Sequence, residues 1–262
     1  MANLLRTAKS GSDWTISELD AYHIEIVPVD PLDFFGVQAL PPVPPQVDPE
    51  ILDHVEATDM VQDRNAELIG LLDLAMLPKS GESAVDDFAV ELFKVLGYVR
   101  RDRLARTRTD LPLLICGEYR HAKTDVCLID RSQNDILLLV QEDKRIDGKL
   151  PQAEAQLVAE AVAAFSQNNQ SRRDIGLPPL DEKIMPGIVM LGTTPTFYKI
   201  PVSQSLLYHI RNGTYPPDLT QVTCCAVPVP RPARRYSEGM KPLDNRKEIF
   251  RCYEAFKAIV GI

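Results

Sequence analysis

The sequence predicts an α/β fold, with a central mixed β-sheet flanked by helices. Three observations predict it. Two short apolar runs, Thr124 to Ile129 and Ile136 to Glu142, are joined by the turn-rich stretch Asp130-Arg131-Ser132-Gln133-Asn134-Asp135 and read as a β-hairpin. Helical periodicity brackets that hairpin, over Glu82 to Leu96 before it and from about Gln152 to Phe165 after it. Farther on, Gly187 to Gly192 is a continuous apolar run of the kind that lies buried on both faces of a sheet.

Taken in order, residues up to Gly11 are expected to be a poorly ordered end. Trp14, Ile16, Leu19, Tyr22, Ile24, Ile26 and Val27 carry enough apolar surface to dock, and Tyr22 to Val27 reads as a strand. Pro41-Pro42-Val43-Pro44-Pro45 suits neither helix nor central strand and reads as a semi-rigid polyproline connector, with an SH3-type ligand as the alternative. Pro49-Glu50-Ile51 opens an acidic helical segment that continues with interruptions towards Met76 and stops before Pro78. Ser80-Gly81-Glu82-Ser83 looks like a helix start. Val85, Phe88, Ala89, Leu92, Phe93 and Leu96 then recur at helical spacing, and Gly97 fits the C′ position. In the helix from 152 to 165, Leu157, Ala161, Ala164 and Phe165 face the core, and Asn168 to Pro179 reads as a polar loop. Phe197 to Ile200 and Val222 to Val227 are further strands, and Asn245 to Val260 is an amphipathic closing helix. The chain thus divides into an N-terminal extension with its Pro-rich connector, 1–78, and an α/β domain with a C-terminal extension, 79–262.

Composition bounds the function. With 262 residues, 45% apolar and 25% charged, the chain is ordinary globular material. No charged segment leads into an apolar run at the N-terminus, and no apolar stretch approaches a membrane span. An intracellular protein of nucleus or cytoplasm is therefore expected, not secreted and without a membrane partner. Five cysteines without ligand spacing fit reduced thiols. The histidines at 23, 54, 121 and 209 show no triad spacing, and His121 near Asp125 reads as a bystander. No Gly-rich phosphate loop or nucleophile elbow is present. The net charge of −8 argues against a generic nucleic-acid binder, but the stretch Val99 to Arg108 holds Arg100, Arg101, Arg103, Arg106 and Arg108 against Asp102 alone. That stretch either follows a phosphate backbone or is a solvated face paired with the chain's many acids. Arg231, Arg234, Arg235 and Lys241 form a second basic stretch, read as a surface loop.

The chemistry concentrates in the hairpin. Asp125 heads the first run, and Glu142-Asp143-Lys144 closes the second. Side chains alternate along a strand, so Glu142 and Lys144 point one way and Asp143 the other. Two adjacent strands then bring Asp125, Glu142 and Lys144 to one surface, with the carboxylates within about 6 Å and able to share a divalent ion. Oxygen ligands beside an ammonium are what metal-assisted phosphodiester hydrolysis needs.

Asp125…Glu142-x-Lys144, set between two helices, resembles the core signature of the PD-(D/E)XK (restriction-endonuclease-like) nuclease superfamily. In that superfamily a helix precedes the first strand, the Asp and the ExK motif lie on neighbouring strands, and another helix follows. The resemblance covers roughly Glu82 to Lys199, and Thr124 stands where the family usually has Pro. It implies a restriction-endonuclease-like core and a metal-dependent nuclease hydrolysing DNA or RNA. Asp125 and Glu142 would hold Mg²⁺ or Mn²⁺, and Lys144 would act on the attacking water or the developing charge. An acid on the preceding helix often joins the metal set, which points to Asp86, then Glu82; acids in a helix's first turns also simply complement its dipole. A glutamine on the following helix sometimes orients substrate or supports the lysine, which points to Gln156. Arg100, Arg101 and Arg103 are the expected substrate contacts, and a homodimer remains open. The alternatives are a catalytically silent nuclease-fold protein that binds protein or nucleic acid, and an adaptor in which the hairpin merely carries surface acids.

Overall fold

A computed structural model describes residues 6–77, 82–143 and 150–262. After a 3-10 turn at Gly11–Asp13 come α1 (Ile16–Ala21), β1 (Ile24–Pro28), α2 (Pro31–Phe35), α3 (Pro49–Asp53), α4 (Asp63–Ala75) and α5 (Glu82–Val95). Then follow β2 (Arg103–Thr107), β3 (Asp110–Ile115), β4 (Glu118–Lys123), β5 (Val126–Asp130), β6 (Asp135–Asp143) and α6 (Leu150–Asp174). The chain ends with β7 (Glu182–Leu191), β8 (Thr194–Ser203), α7 (Gln204–Asn212), β9 (Thr220–Ala226), α8 (Arg235–Glu238) and α9 (Leu243–Val260). Seven strands form one sheet in the order β1-β9-β8-β7-β6-β5-β2, and β3 and β4 pair as a separate ribbon. The β6–β7 and β1–β9 pairs are parallel and the other pairs antiparallel, so the sheet is mixed and the α/β expectation holds. The segments that the sequence analysis places at Ser80-Gly81 and Lys144 lie outside the described residues, as do the side chains of Glu82 and Asp143.

Alternation along the central strands separates two cores. Val126, Leu128, Leu138, Val140, Ile188 and Met190 face one side and pack with residues of α2, α3, α4, α5 and α9. Cys127, Leu139, Met185 and Val189 face the other and pack with α1, α6, α7 and the ribbon. Every residue of α6 from Leu157 to Phe165 is buried, which fits a helix lying between the sheet and the β3–β4 ribbon. Among the described residues no helix is long and apolar enough to cross a membrane.

One expectation changes. The stretch Asn168 to Pro179 is not a loop from its start, because α6 continues to Asp174. Asn168 accepts from the Ile136 N–H at 2.8 Å and donates to the Ile136 carbonyl at 2.9 Å, and Asn169 does the same for Leu180 at 2.7 and 3.0 Å. Polar side chains that read as solvated loop are thus buried partners for backbone groups that would otherwise be unpaired. Described residues of the N-terminal segment contribute to the same sheet and core as the later elements. β1 is an edge strand paired with β9, and Phe34, Phe35, Ile51 and Leu68 share a core with α5 and α9. The proline connector is docked, with Arg251 donating to the carbonyls of Leu40 and Pro41 at 2.9 and 3.0 Å.

Candidate functional site

Asp125 stands in a bend directly before β5. Its Oδ2 accepts from the Glu142 N–H at 2.7 Å and from Gln141 Nε2 at 2.8 Å, and the Gln141 amide also donates to the Glu142 carbonyl at 3.2 Å. The Asp125 carbonyl accepts from the Arg108 N–H at 2.9 Å. Arg108 has φ +52°, a left-handed conformation that is uncommon outside glycine and stores strain beside the cluster.

β5 and β6 are neighbours, as the hairpin reading requires, but their register alters the expected arrangement. Val126 pairs with Val140, so the residue across from Asp125 is Gln141, not Glu142. Glu142 follows one residue later and takes the Val140 face, towards α5. The expectation of Asp125 and Glu142 on a single sheet surface is therefore corrected: Asp125 engages Glu142 through its backbone N–H at the end of the two strands.

The electrostatics draw in both helical layers. Asp86, buried on α5, has its carboxyl raised from 3.8 to about 6, first by burial and next by the charge of Asp125, with Arg108 opposing. Burial also raises Asp125, against the Glu142 N–H and the charges of Lys123 and Arg108. Glu160 on α6 is only 2% exposed, and burial followed by the Asp125 charge pushes its carboxyl well above the usual range. The Asp125 charge thus reaches buried acids of two opposite layers, Asp86 on α5 and Glu160 on α6, and Arg108 and Lys123 are exposed cations whose charges act on Asp125.

The remaining expected residues distribute as follows. Gln156 donates to the Ser12 carbonyl at 2.6 Å, which ties α6 to the N-terminal 3-10 turn. Arg103 pairs with Asp130 across the β2–β5 ladder, at the opposite end of β5 from Asp125. Five strand residues at roughly 3.3 Å each separate those ends by about 16 Å. Arg100, Arg101 and Arg103 therefore do not lead into the cluster; Arg103 is held instead by the Tyr98 carbonyl at 3.0 Å. Arg108, five residues further along the same basic stretch, takes that place. In the second basic stretch Arg231 is spent on Asp244 and Glu238, and Lys241 on Asp73. His121 is exposed and pairs with Asp110 at 3.1 Å.

Two site residues were not anticipated, Gln141 and Glu160, whereas Arg108 belongs to the basic stretch already read as a possible phosphate contact. Glu160 carried a readable signal, being an acid three residues after Leu157 and four before Ala164, on the apolar face of a core helix. Gln141 depends on the strand register, which the sequence does not display.

The donor set is hard oxygen and suits Mg²⁺ or Mn²⁺. Among the described residues no group of three or more His, Cys, Asp and Glu side chains is arranged to hold a metal ion. Mg²⁺, however, usually takes one or two carboxylates and completes its shell with water and substrate phosphate. Asp125 with one neighbouring acid meets that need, and the upward-shifted Asp86 is the state a cation would reverse. No protein-family model matches the chain, and no curated protein matches it.

Proposed function

We propose that the chain is a metal-dependent nuclease of PD-(D/E)XK type that hydrolyses phosphodiester bonds of DNA or RNA around Asp125. The observation that carries the reading is the head of β5: a carboxylate bonded to the Glu142 N–H, close enough to a buried acid on the preceding helix to raise its pKa, and near two exposed cations. α5 precedes β2 to β6 and α6 follows them, so the carboxylate strands lie between two helices as the resemblance implies. Asp125 would hold the ion, with Asp86 and Glu142 from the α5 side. The ion would lower the pKa of a coordinated water and offset charge on the phosphate. Lys144 keeps its motif position in the sequence as the group acting on water or developing charge. Arg108 and Lys123 would meet the phosphate backbone of the substrate.

Two observations favour a second reading, a silent nuclease-fold module that binds protein or nucleic acid. Asp125 Oδ2 already takes two N–H bonds, and Glu142 is offset by one residue from the position facing it.

Cleavage of single- and double-stranded DNA and RNA with Mg²⁺ or Mn²⁺, quenched by EDTA, separates the two. Asp125→Ala should abolish metal binding and cleavage together. Lys144→Ala should keep metal binding and lower turnover by about 10²-fold or more. Metal binding without cleavage of any substrate would leave the silent module; cleavage surviving in both Asp125→Ala and Lys144→Ala would place the activity elsewhere.

A further inference from the structure

Glu160 has no role in that reading, and packing does not explain it. It lies in a helix whose neighbouring positions are Ala159, Ala161, Val162 and Ala163, all buried, where an apolar residue would serve. It is 2% exposed, and its Oε2 has no hydrogen-bond partner. Buried side-chain oxygens almost always have one, so an orphaned carboxylate oxygen in a core helix calls for a ligand or a charge to face. The polar groups on this side of β5 are already engaged: Cys127 Sγ bonds Thr109 Oγ1 at 3.4 Å, and Thr124 Oγ1 bonds the Thr109 carbonyl at 3.5 Å.

The position of Glu160 follows from the staple at the far end of α6. Asn168 is bonded to Ile136 at the start of β6. Eight helical residues back, at about 1.5 Å each, cover roughly 12 Å, or between three and four strand residues. Glu160 therefore stands level with Leu139 and Val140, beside the end where Asp125 and Gln141 meet. Leu139 belongs to the core on the α6 side, and Gln141 shares its face by alternation. The Asp125 charge is felt at Glu160, as expected from that placement.

We propose that Glu160 is a divalent-cation ligand, sharing an ion with Asp125 from the α6 side of the sheet. The inference rests on the proposed metal-dependent reading and adds to it a donor from the second helical layer, opposite Asp86. A cation would favour the ionised form of the buried Glu160 carboxyl, and a hard ion of the Mg²⁺ or Mn²⁺ class fits an all-oxygen pair.

The test is Mn²⁺ calorimetry on the full chain, with Glu160→Gln compared against wild type and against Glu154→Gln. Glu154 accepts from the Tyr198 hydroxyl at 2.8 Å and serves as a same-helix control. Glu160→Gln should weaken Mn²⁺ binding at least about tenfold, since even outer-shell losses reach 10–100-fold. Glu154→Gln should leave it unchanged. Wild-type binding equal to that of Glu160→Gln overturns the inference and leaves the nuclease reading standing. A wild type that binds no Mn²⁺ removes the metal from both. Anomalous diffraction from Mn²⁺-soaked wild-type crystals provides a check that needs no variant: the ion should lie about 2.0–2.6 Å from carboxylate oxygens of both Asp125 and Glu160. An ion held by Asp125 without Glu160 overturns the inference.

Discussion

Replacing Asp86 by Asn should make the protein more stable at neutral pH and leave it unchanged in acid. In the folded chain the Asp86 carboxyl is raised from 3.8 to about 6, by burial first and by the Asp125 charge second. Between roughly pH 4 and 6 the native state therefore binds a proton that the unfolded chain has released. Wild-type stability must fall as pH rises through that window. The two-pH-unit difference sets a ceiling of about 3 kcal/mol, and relaxation and water penetration around the carboxyl reduce it to about 1–2 kcal/mol. Asn cannot ionise, so Asp86→Asn should match wild type near pH 4 and exceed it by that amount at pH 7.5. Urea unfolding of both proteins from pH 4 to 8, with equal m values, measures the difference directly. Saturating Mn²⁺ should reverse the order at pH 7.5, because a ligand at about 100 times its Kd stabilises by about 2.7 kcal/mol and wild type binds it better. A stability difference that stays flat from pH 4 to 8 would refute the argument that Asp86 is held ionised against burial and Asp125.

Two further outcomes follow from the placement of charges. Arg106→Ala, Arg108→Ala and Lys123→Ala should each lower the salt dependence of DNA binding by about 0.9 in log–log slope, while Arg100→Ala, Arg101→Ala and Arg103→Ala should leave it unchanged; the reverse pattern would return the substrate path to the far end of β5. Arg246 is fully buried and donates to the carbonyls of Met240, Ile51, His54 and Lys241, so Arg246→Met should destabilise by about 3–5 kcal/mol by leaving those groups unpaired; a loss under about 1 kcal/mol in urea unfolding would show that the bonds are replaced by water.

The elements carried by apolar periodicity were legible. Runs of two-residue alternation and continuous apolar stretches became β5, β6, β7 and β8, and the spacing of Val85, Phe88, Leu92 and Leu96 became α5 with Gly97 at φ +76° beyond its end. What escaped was structure made by polar side chains. Asn168 and Asn169 look like loop residues because their amides are usually solvated, yet here they complete backbone pairs at Ile136 and Leu180. Arg246 sits in an amphipathic helix pattern as an ordinary surface cation, and its four carbonyl partners come from segments far apart in sequence. The head of β5 was legible as an acid at a strand end. Its surroundings were not, because a register of one residue decides whether Gln141 or Glu142 faces Asp125.

That one-residue offset changes what holds the site together. If Asp125 and Glu142 faced each other across the ladder, the hairpin alone would define the cluster, and either flanking helix could shift without consequence. With Gln141 opposite Asp125, the acids that feel its charge come from α5 and α6, so the arrangement depends on how both helices sit along the sheet. α5 is set by its apolar face against Val126, Leu128, Leu138 and Val140. α6 carries mostly alanines against the strands, and small side chains resist sliding poorly because they interlock little. Two features oppose sliding. Leu157 packs so closely on Gly187 that a β-carbon there would lie 2.8 Å from its Cδ2, and Asn168 pins the helix to both backbone groups of Ile136. The buried asparagine and the glycine of β7 thus fix where Glu160 stands along β6, and with it the second acid beside Asp125.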